Sequence, residues 1–470
     1  MKENANPIKI ADSEYRKLVE PYKEEAFNEL KNLIAIDSVL DESTATKEMP
    51  FGKGVEEALS YVAKLGERLS FKVDRCDNYV TELTYGEGDK ILDIYGHVDV
   101  VPVDKSKWEH DPFKLTLEEG NIMYGRGTSD DKGPAISCLF AVKALMDKGL
   151  LGGYKLRFLF GGNEETGSLC LDHYFHHMNK VFPTLGFSPD AEYPLIYAEK
   201  SIYAYRADYK INLSCIPSFA FGQALNIVIG EASLVIDNDE EVLKEHLEKY
   251  LSLHKEVKAH IEGKKVTFLG KPVHGSTPWL GVNAALHLIN FLGELYDNET
   301  LKKIYKDYID GVGENFGGNF KDEDFTETSY NVGKVEYKDG ILSLFVNLRF
   351  PSSMKEDTVL ENLRENSCEN ITSLGGSDGF VSDKNSAFIS TLLKAYQEET
   401  LDYESKPLAI GGGTYARESK NSVAFGAQFI GRDYRMHGND EFFPLSDFYD
   451  NMQIYAHAIN ELSKLLRKKD

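Results

Sequence analysis

The stretch from Ile91 to Pro134 constrains this chain more than any other. It opens with KILDIYGHVDVVP, an apolar run whose ILDIY core predicts a buried strand and which ends on His97 and Asp99. A polar loop containing Trp108 follows, and then YGRGTSDDKGP, where Gly, Arg and Gly introduce Asp130, Asp131 and Lys132. Two positions apart on a regular strand, His97 and Asp99 point to the same face. That suits a metal-ligating imidazole whose other nitrogen is held by a carboxylate. On its own, such a pair is more often a satisfied histidine near a strand end. The company tips the balance, because Glu164 and Glu165 follow a second predicted strand in YKLRFLFGGNEETGS, and Asp190 follows a third. Crowding carboxylates is costly unless a multivalent cation neutralises them, so three clusters at successive strand ends point to a two-metal site.

Around this stretch the pattern is that of an α/β domain. Ala26, Phe27, Leu30, Leu33 and Ile34 repeat at helical spacing, as do Val55, Leu59, Val62 and Leu65. PAISCLFAVKALMDKG predicts a helix with Pro134 in its first turn and Gly149 as its stop. Strands alternating with helices, with polar clusters at the strand ends, predict an open sheet carrying its site at those ends. From about Ser201 to Asn385 the strands lengthen and alternate, as in SIYAYRADYKINL and ILSLFVNLRF, with helices such as EEVLKEHLEKYL between them. This predicts an α+β domain with an antiparallel sheet, inserted into the first. Residues 1–199 and 385–470 form the discontinuous outer domain and 200–384 the insert. SVAFGAQFI reads as one strand and LSDFYDNMQIYAHAINELSKLL as a closing helix.

With 470 residues, two domains are the natural expectation. The formal net charge of −23 argues against nucleic acid or an anionic membrane as partner. The five cysteines, Cys76, Cys138, Cys170, Cys215 and Cys368, have no CxxC spacing and read as reduced thiols. No secretory h-region opens the chain and no long apolar window interrupts it, so a cytoplasmic protein is expected. His173, His176 and His177 in HYFHH lack the glutamate of a zincin motif and read as helix-surface residues. His274 in GKPVHGSTP and His437 in MHGNDE read, from their surroundings, as loop histidines. GGGTYAR (Gly411–Arg417) lacks the context of a phosphate loop and suits close backbone approach to a small ligand. Arg349 reads as either a surface arginine or a carboxylate anchor.

Taken together, GHVDVVP, GRGTSDDKGP, NEET, SPDAEYP, HGSTP, GGGTYAR and MHGNDE resemble the M20 family of two-metal peptidases, nearest its type V, carnosinase-like bacterial dipeptidases. The resemblance spans nearly the whole chain, from SVLDESTATKEMPFGKG onward. It implies a mixed, mostly parallel sheet flanked by helices, with an inserted α+β lid. It implies that His97, Asp130 and Asp190 hold one divalent metal and that Asp130, Glu165 and His437 hold the other. Zinc leads as the metal, with manganese or cobalt as alternatives. The Asp130–Asp131 peptide is expected to be cis. Asp99 would orient His97, and Glu164 would be the general base. His274 would steady the oxyanion from the lid, while Asn226, Arg349 and the loop residues Gly411, Gly412, Gly413 and Thr414 would bind substrate. The lid resembles two fused copies of a smaller one, which implies a monomer. The implied activity is dipeptide hydrolysis. The alternatives are an N-acyl amino acid deacylase or desuccinylase of the same family, or a silent metal- or peptide-binding relative.

Overall fold

The structure, a computed structural model, describes residues 9–118, 120–213 and 216–468. The chain forms two compact units, one of Met1–Tyr197, Ser382–Leu408 and Thr414–Asp470, the other of Ala198–Val381 and Ala409–Gly413. Among the described residues no helix is long and apolar enough to cross a membrane. Cys76, Cys138, Cys170 and Cys368 are buried free thiols, and Cys215 lies outside the described residues.

The first unit is built on a mixed sheet. Its strands run in the order Lys72–Asp74, Val80–Tyr85, Lys155–Gly161, Ile91–His97, Leu185–Ser188, Ser422–Ala424 and Ile196–Glu199. The four central strands are parallel, and antiparallel strands flank them on both sides. Ile91–His97 is buried along its whole length, as a central strand covered on both faces must be. Parallel neighbours need a crossover, and the helix Lys132–Asp147 supplies it between Ile91–His97 and Lys155–Gly161. That helix is buried on nearly every side, and the long C-terminal helix Leu445–Arg467 packs against it. Register is pinned inside the sheet by Asp93 and Arg157, facing partners on adjacent strands, which bond bidentately at 2.7 and 2.6 Å. With His97 opposite Gly161 and Ile94 opposite Phe187, three parallel strands end side by side and pointing the same way.

SVAFGAQFI is not one strand. Ser422–Ala424 belongs to the main sheet, whereas Ala427–Gln428 pairs with Ala191–Glu192 in a separate ribbon. Gly426 breaks the run with φ of 72°, a left-handed conformation that suits glycine.

The second unit holds a five-stranded antiparallel sheet, ordered Ser218–Phe221, Ser329–Lys338, Ile341–Phe350, Ser201–Lys210 and Ile371–Ser377. A smaller three-stranded sheet accompanies it, with helices Glu240–Leu253, Ala284–Leu295, Glu299–Tyr308 and Glu356–Asn366. The larger sheet, the smaller sheet and these helices share one apolar core, including Tyr205, Leu243, Phe268, Phe291 and Leu344. Asn283 and Asn298 cap two of the helices through their side chains.

Candidate metal centre

Four of the candidate side chains of the first unit sit at or just beyond a strand end. His97 closes its strand, Glu164 and Glu165 follow Gly161, and Asp190 follows Ser188. Asp130 and Asp131 precede the Lys132–Asp147 helix, and the peptide between them is cis. Asp130 occupies the middle. Its Oδ1 lies 3.0 Å from His97 Nε2 and its Oδ2 lies 2.8 Å from His437 Nε2. On the first side Asp190 Oδ2 is 3.6 Å from the His97 ring, and on the other Glu165 Oε2 is 3.1 Å from the His437 ring. Donor atoms of His97, Glu164 and Asp190 likewise fall within 4.8 Å of one another. One carboxylate thus lies between two imidazoles, each with a further carboxylate.

Asp99 stands where it serves the glutamates. The His97 Nδ1 is nearest the backbone carbonyl of Asp99, at 2.9 Å, with the carboxylate farther away at 3.4 Å. The two carboxylate oxygens instead accept the backbone N–H groups of Glu164 and Glu165, each at 3.1 Å. The orienting role expected of this side chain towards His97 is therefore shared with the backbone, and its strongest contacts set the turn that carries the glutamates.

The electrostatics fit a cation. Burial, with Asp190, Glu165 and Asp130 adding to it against His97, pushes Glu164 well above the usual carboxylate range. Burial and Asp130 push Glu165 up to about 7. Burial raises Asp131 and Asp190 as well. Asp130 goes the other way, because hydrogen bonds from His437 and His97 outweigh its burial. So many oxygens with only two imidazoles among them form an O- and N-donor set suited to divalent ions such as zinc, manganese or cobalt. Lys132 does not supply the missing positive charge. It is fully buried and donates to the carbonyls of Leu33 and Ile36 at the end of the helix Lys23–Ile34, at 3.1 and 2.9 Å.

The model of peptidase family M20/M25/M40 matches residues 94–461 of the chain. The chain belongs to this family. The chain is also similar to individual proteins. It is 32% identical over 472 residues to the Beta-Ala-Xaa dipeptidase of Lactobacillus delbrueckii subsp. lactis, covering 96% of this chain and 99% of that protein. Human carnosine dipeptidase 1 superposes with a TM-score of 0.56 at 15% identity, over 96% of this chain and 99% of that one. The dipeptidase Dug1p of Saccharomyces cerevisiae gives a TM-score of 0.56 at 18% identity, over 96% and 98% of the two chains.

In this M20 chain the remaining candidate residues divide between the units. In the second unit an isolated bridge between Ile227 and His274 brings Asn226 beside His274, and Gly275 N–H donates to the Asn226 carbonyl at 2.7 Å. His274 is exposed and its Nδ1 lies 2.7 Å from Ser276 Oγ. Arg349 is buried, its Nε donating to Asn347 Oδ1 at 2.9 Å and its Nη1 to the Gly411 carbonyl at 2.6 Å. Gly411, Gly412 and Gly413 belong to this second unit, and a side chain at Gly411 would come within 3.2 Å of Ser276. Thr414 lies in the first unit, where its hydroxyl caps a short turn by accepting Ala416 N–H. His173 is no free surface residue: it stacks on Tyr79 at 3.9 Å and bonds Asp77, while His176 and His177 are exposed.

Sequence reasoning passed over the residues that hold the His437 loop. Arg126 Nη2 donates to the carbonyls of His437 and Gly438 at 3.3 and 3.0 Å, and its guanidinium lies over Trp108. Asp440 accepts the backbone N–H groups of Glu109 and His110. The arginine of GRG and the acids of GNDE were visible as motif members, but their partners lie too far along the chain for spacing to show.

Proposed function

We propose that this M20 peptidase is a metal-dependent dipeptidase acting on short peptides with a free amino end and a free C-terminal carboxylate. The observation that carries the reading is the Asp130 carboxylate lying between His97 and His437, with Asp190 and Glu165 completing two donor sets. His97, Asp130 and Asp190 would hold one divalent ion and Asp130, Glu165 and His437 a second, zinc being the best match to this mixed donor set. Ions held by these residues would supply a Lewis acid for the peptide carbonyl and an acidified water. Glu164 takes the proton of the attacking water and passes it to the leaving amine, its raised proton affinity suiting both halves of the task. Asp99 keeps the Glu164–Glu165 turn in place. His274 donates to the developing oxyanion, Arg349 forks onto the C-terminal carboxylate, and Asn226 and the Gly411–Thr414 loop line the substrate. The protein works as a cytoplasmic monomer on small peptides, with no nucleic acid or membrane partner.

The test is a substrate panel, run with metal content measured alongside. It pairs dipeptides, β-alanyl ones included because a relative is a Beta-Ala-Xaa dipeptidase, with their N-acetylated forms. Free dipeptides should be cleaved, chelation should abolish the reaction, and Glu164→Ala should lower kcat by roughly 10²–10⁴-fold with metal retained. Preference for the N-acetylated forms would make the protein a deacylase instead. Unchanged turnover in Glu164→Ala would remove the base.

A further inference from the structure

Within the second unit, two histidines and a glutamate converge on one point. His254 caps the C-terminal end of the helix Glu240–Leu253, Glu256 lies two residues beyond it, and His287 is on the first turn of Ala284–Leu295. Their donor atoms all lie within 4.8 Å of one another. Glu256 Oε1 stands between the rings, 3.3 Å from His254 Nδ1 and 3.6 Å from His287 Nε2.

His287 makes this more than a chance grouping. It is completely buried, and its Nε2 has no hydrogen-bond partner among the described residues. Its other nitrogen, Nδ1, lies 3.0 Å from the Tyr250 hydroxyl. If Nε2 carried the proton, it would close on the carboxylate to about 2.7–3.2 Å, and it stands outside that range. With the proton on Nδ1 and directed to Tyr250, the Nε2 lone pair faces a carboxylate oxygen. Two acceptors aimed at each other repel unless a cation or a bridging donor lies between them, and two imidazoles with a carboxylate favour the cation. A hydrogen bond from one ring nitrogen to a hydroxyl is also the arrangement that readies the other for a metal. Tetrahedral coordination with bonds of about 2.0–2.2 Å puts ligand atoms roughly 3.3–3.6 Å apart, which matches both separations found.

We infer that His254, Glu256 and His287 form a second, independent binding site for a divalent transition-metal ion of the zinc type, in the inserted unit. Two imidazoles and a carboxylate make a three-ligand site with room for water. His287 and Glu256 also line a cavity of ≈ 260 Å³, and Glu256 is half-exposed, so the site has an open side for ion entry. A bound ion would tie the end of one helix to the start of another across the core of that unit.

The experiment is equilibrium dialysis of the full chain against buffered free zinc, with metal counted per chain. Glu256→Gln and His254→Ala should each hold one zinc fewer than the wild type. The same deficit should appear when either change is made on an Asp130→Asn background, which separates this site from the strand-end centre. Glu256→Gln replaces a partly exposed side chain by its isostere, so it reports even if a histidine variant fails to fold. Zinc content equal to the wild type in Glu256→Gln, or a deficit that vanishes on the Asp130→Asn background, overturns the proposal.

Discussion

One carboxylate oxygen of Glu441 accepts from Arg126 Nη1 at 2.6 Å, and the other accepts the backbone N–H groups of Gly127 and Ser129 at 3.1 and 2.8 Å. The pair is buried, and it clamps the turn that precedes Asp130 to the loop that presents His437. The turn before Asp130 and the loop of His437 therefore depend on one salt bridge. Glu441→Gln would leave the Arg126 charge buried without its counter-ion, a change that costs about 3–5 kcal/mol. The expected result is a lower unfolding midpoint for the first unit together with weaker retention of metal on the His437 side. Urea unfolding and metal analysis of the variant check it, and wild-type values in both would refute the clamp.

Asp99 offers a sharper distinction. An asparagine there keeps one acceptor but cannot receive both the Glu164 and Glu165 N–H groups. Asp99→Asn should lower kcat by roughly 10–100-fold, the usual effect of disturbing a group that supports metal ligands. Metal affinity measured in the same variant tells whether His97 or the glutamate turn suffers more. A wild-type rate would show that the turn holds itself.

Arg349 is proposed to read the peptide's C-terminal carboxylate. Arg349→Ala should raise KM by roughly 10–100-fold, the 1.5–3 kcal/mol of a charge-assisted hydrogen bond. Arg349→Lys should recover little, since a point charge lacks the planar fork that Asn347 and Gly411 hold in place. The decisive comparison is between a dipeptide and its C-terminal amide. Wild type should prefer the free acid, and the preference should collapse in the alanine variant; an unchanged ratio would exclude the role.

Away from the site, Asp450 predicts a pH dependence. Burial, with Asp447 adding to it, raises its carboxyl to about 6 despite Arg16, Lys23 and Arg432. A carboxyl whose pKa is higher folded than unfolded favours the folded state while protonated, and that advantage is lost as pH rises through the folded value. Above about pH 6 both states are ionised and the folded state bears the full penalty. Asp450→Asn should therefore stabilise the protein at pH 8 by roughly 1 kcal/mol, after discounting the nominal shift for partial exposure. The gain should shrink as pH falls toward 4. Thermal unfolding at several pH values checks it, and a gain independent of pH would rule out the ionisation.

Local periodicity carried much of the fold. Ala26, Leu30, Leu33 and Ile34 are buried along one helix as their spacing requires, and the ILDIY run is a central strand. The carboxylates Glu164, Glu165 and Asp190 stood out because polar groups at the ends of apolar strands have few structural reasons to cluster. What stayed hidden depends on tertiary closure. Arg126 and Glu441 are 315 positions apart, and nothing local marks either as the other's partner. The break at Gly426 needed a backbone angle to be seen. His254, Glu256 and His287 come together only because two helices pack, and no spacing rule joins them. Lys132 looked like part of an acidic motif and proves to hold the Leu33 and Ile36 carbonyls at the end of another helix.

The chain leaves the first unit after Tyr197 and re-enters it at Ser382, and at that crossing Ala198 pairs with Val381 while Ser382 N–H bonds the Tyr197 carbonyl. Entrance and exit are neighbours. Joining the ends of an unstructured excursion of roughly 180 residues would cost about 5 kcal/mol in chain entropy beyond the constant term. The excursion has its own apolar core, so when it folds first its two ends arrive already side by side. For the first unit the long detour then behaves as a hairpin turn. The strands that bring His437 to Asp130 can pair as if the intervening sequence were a few residues long.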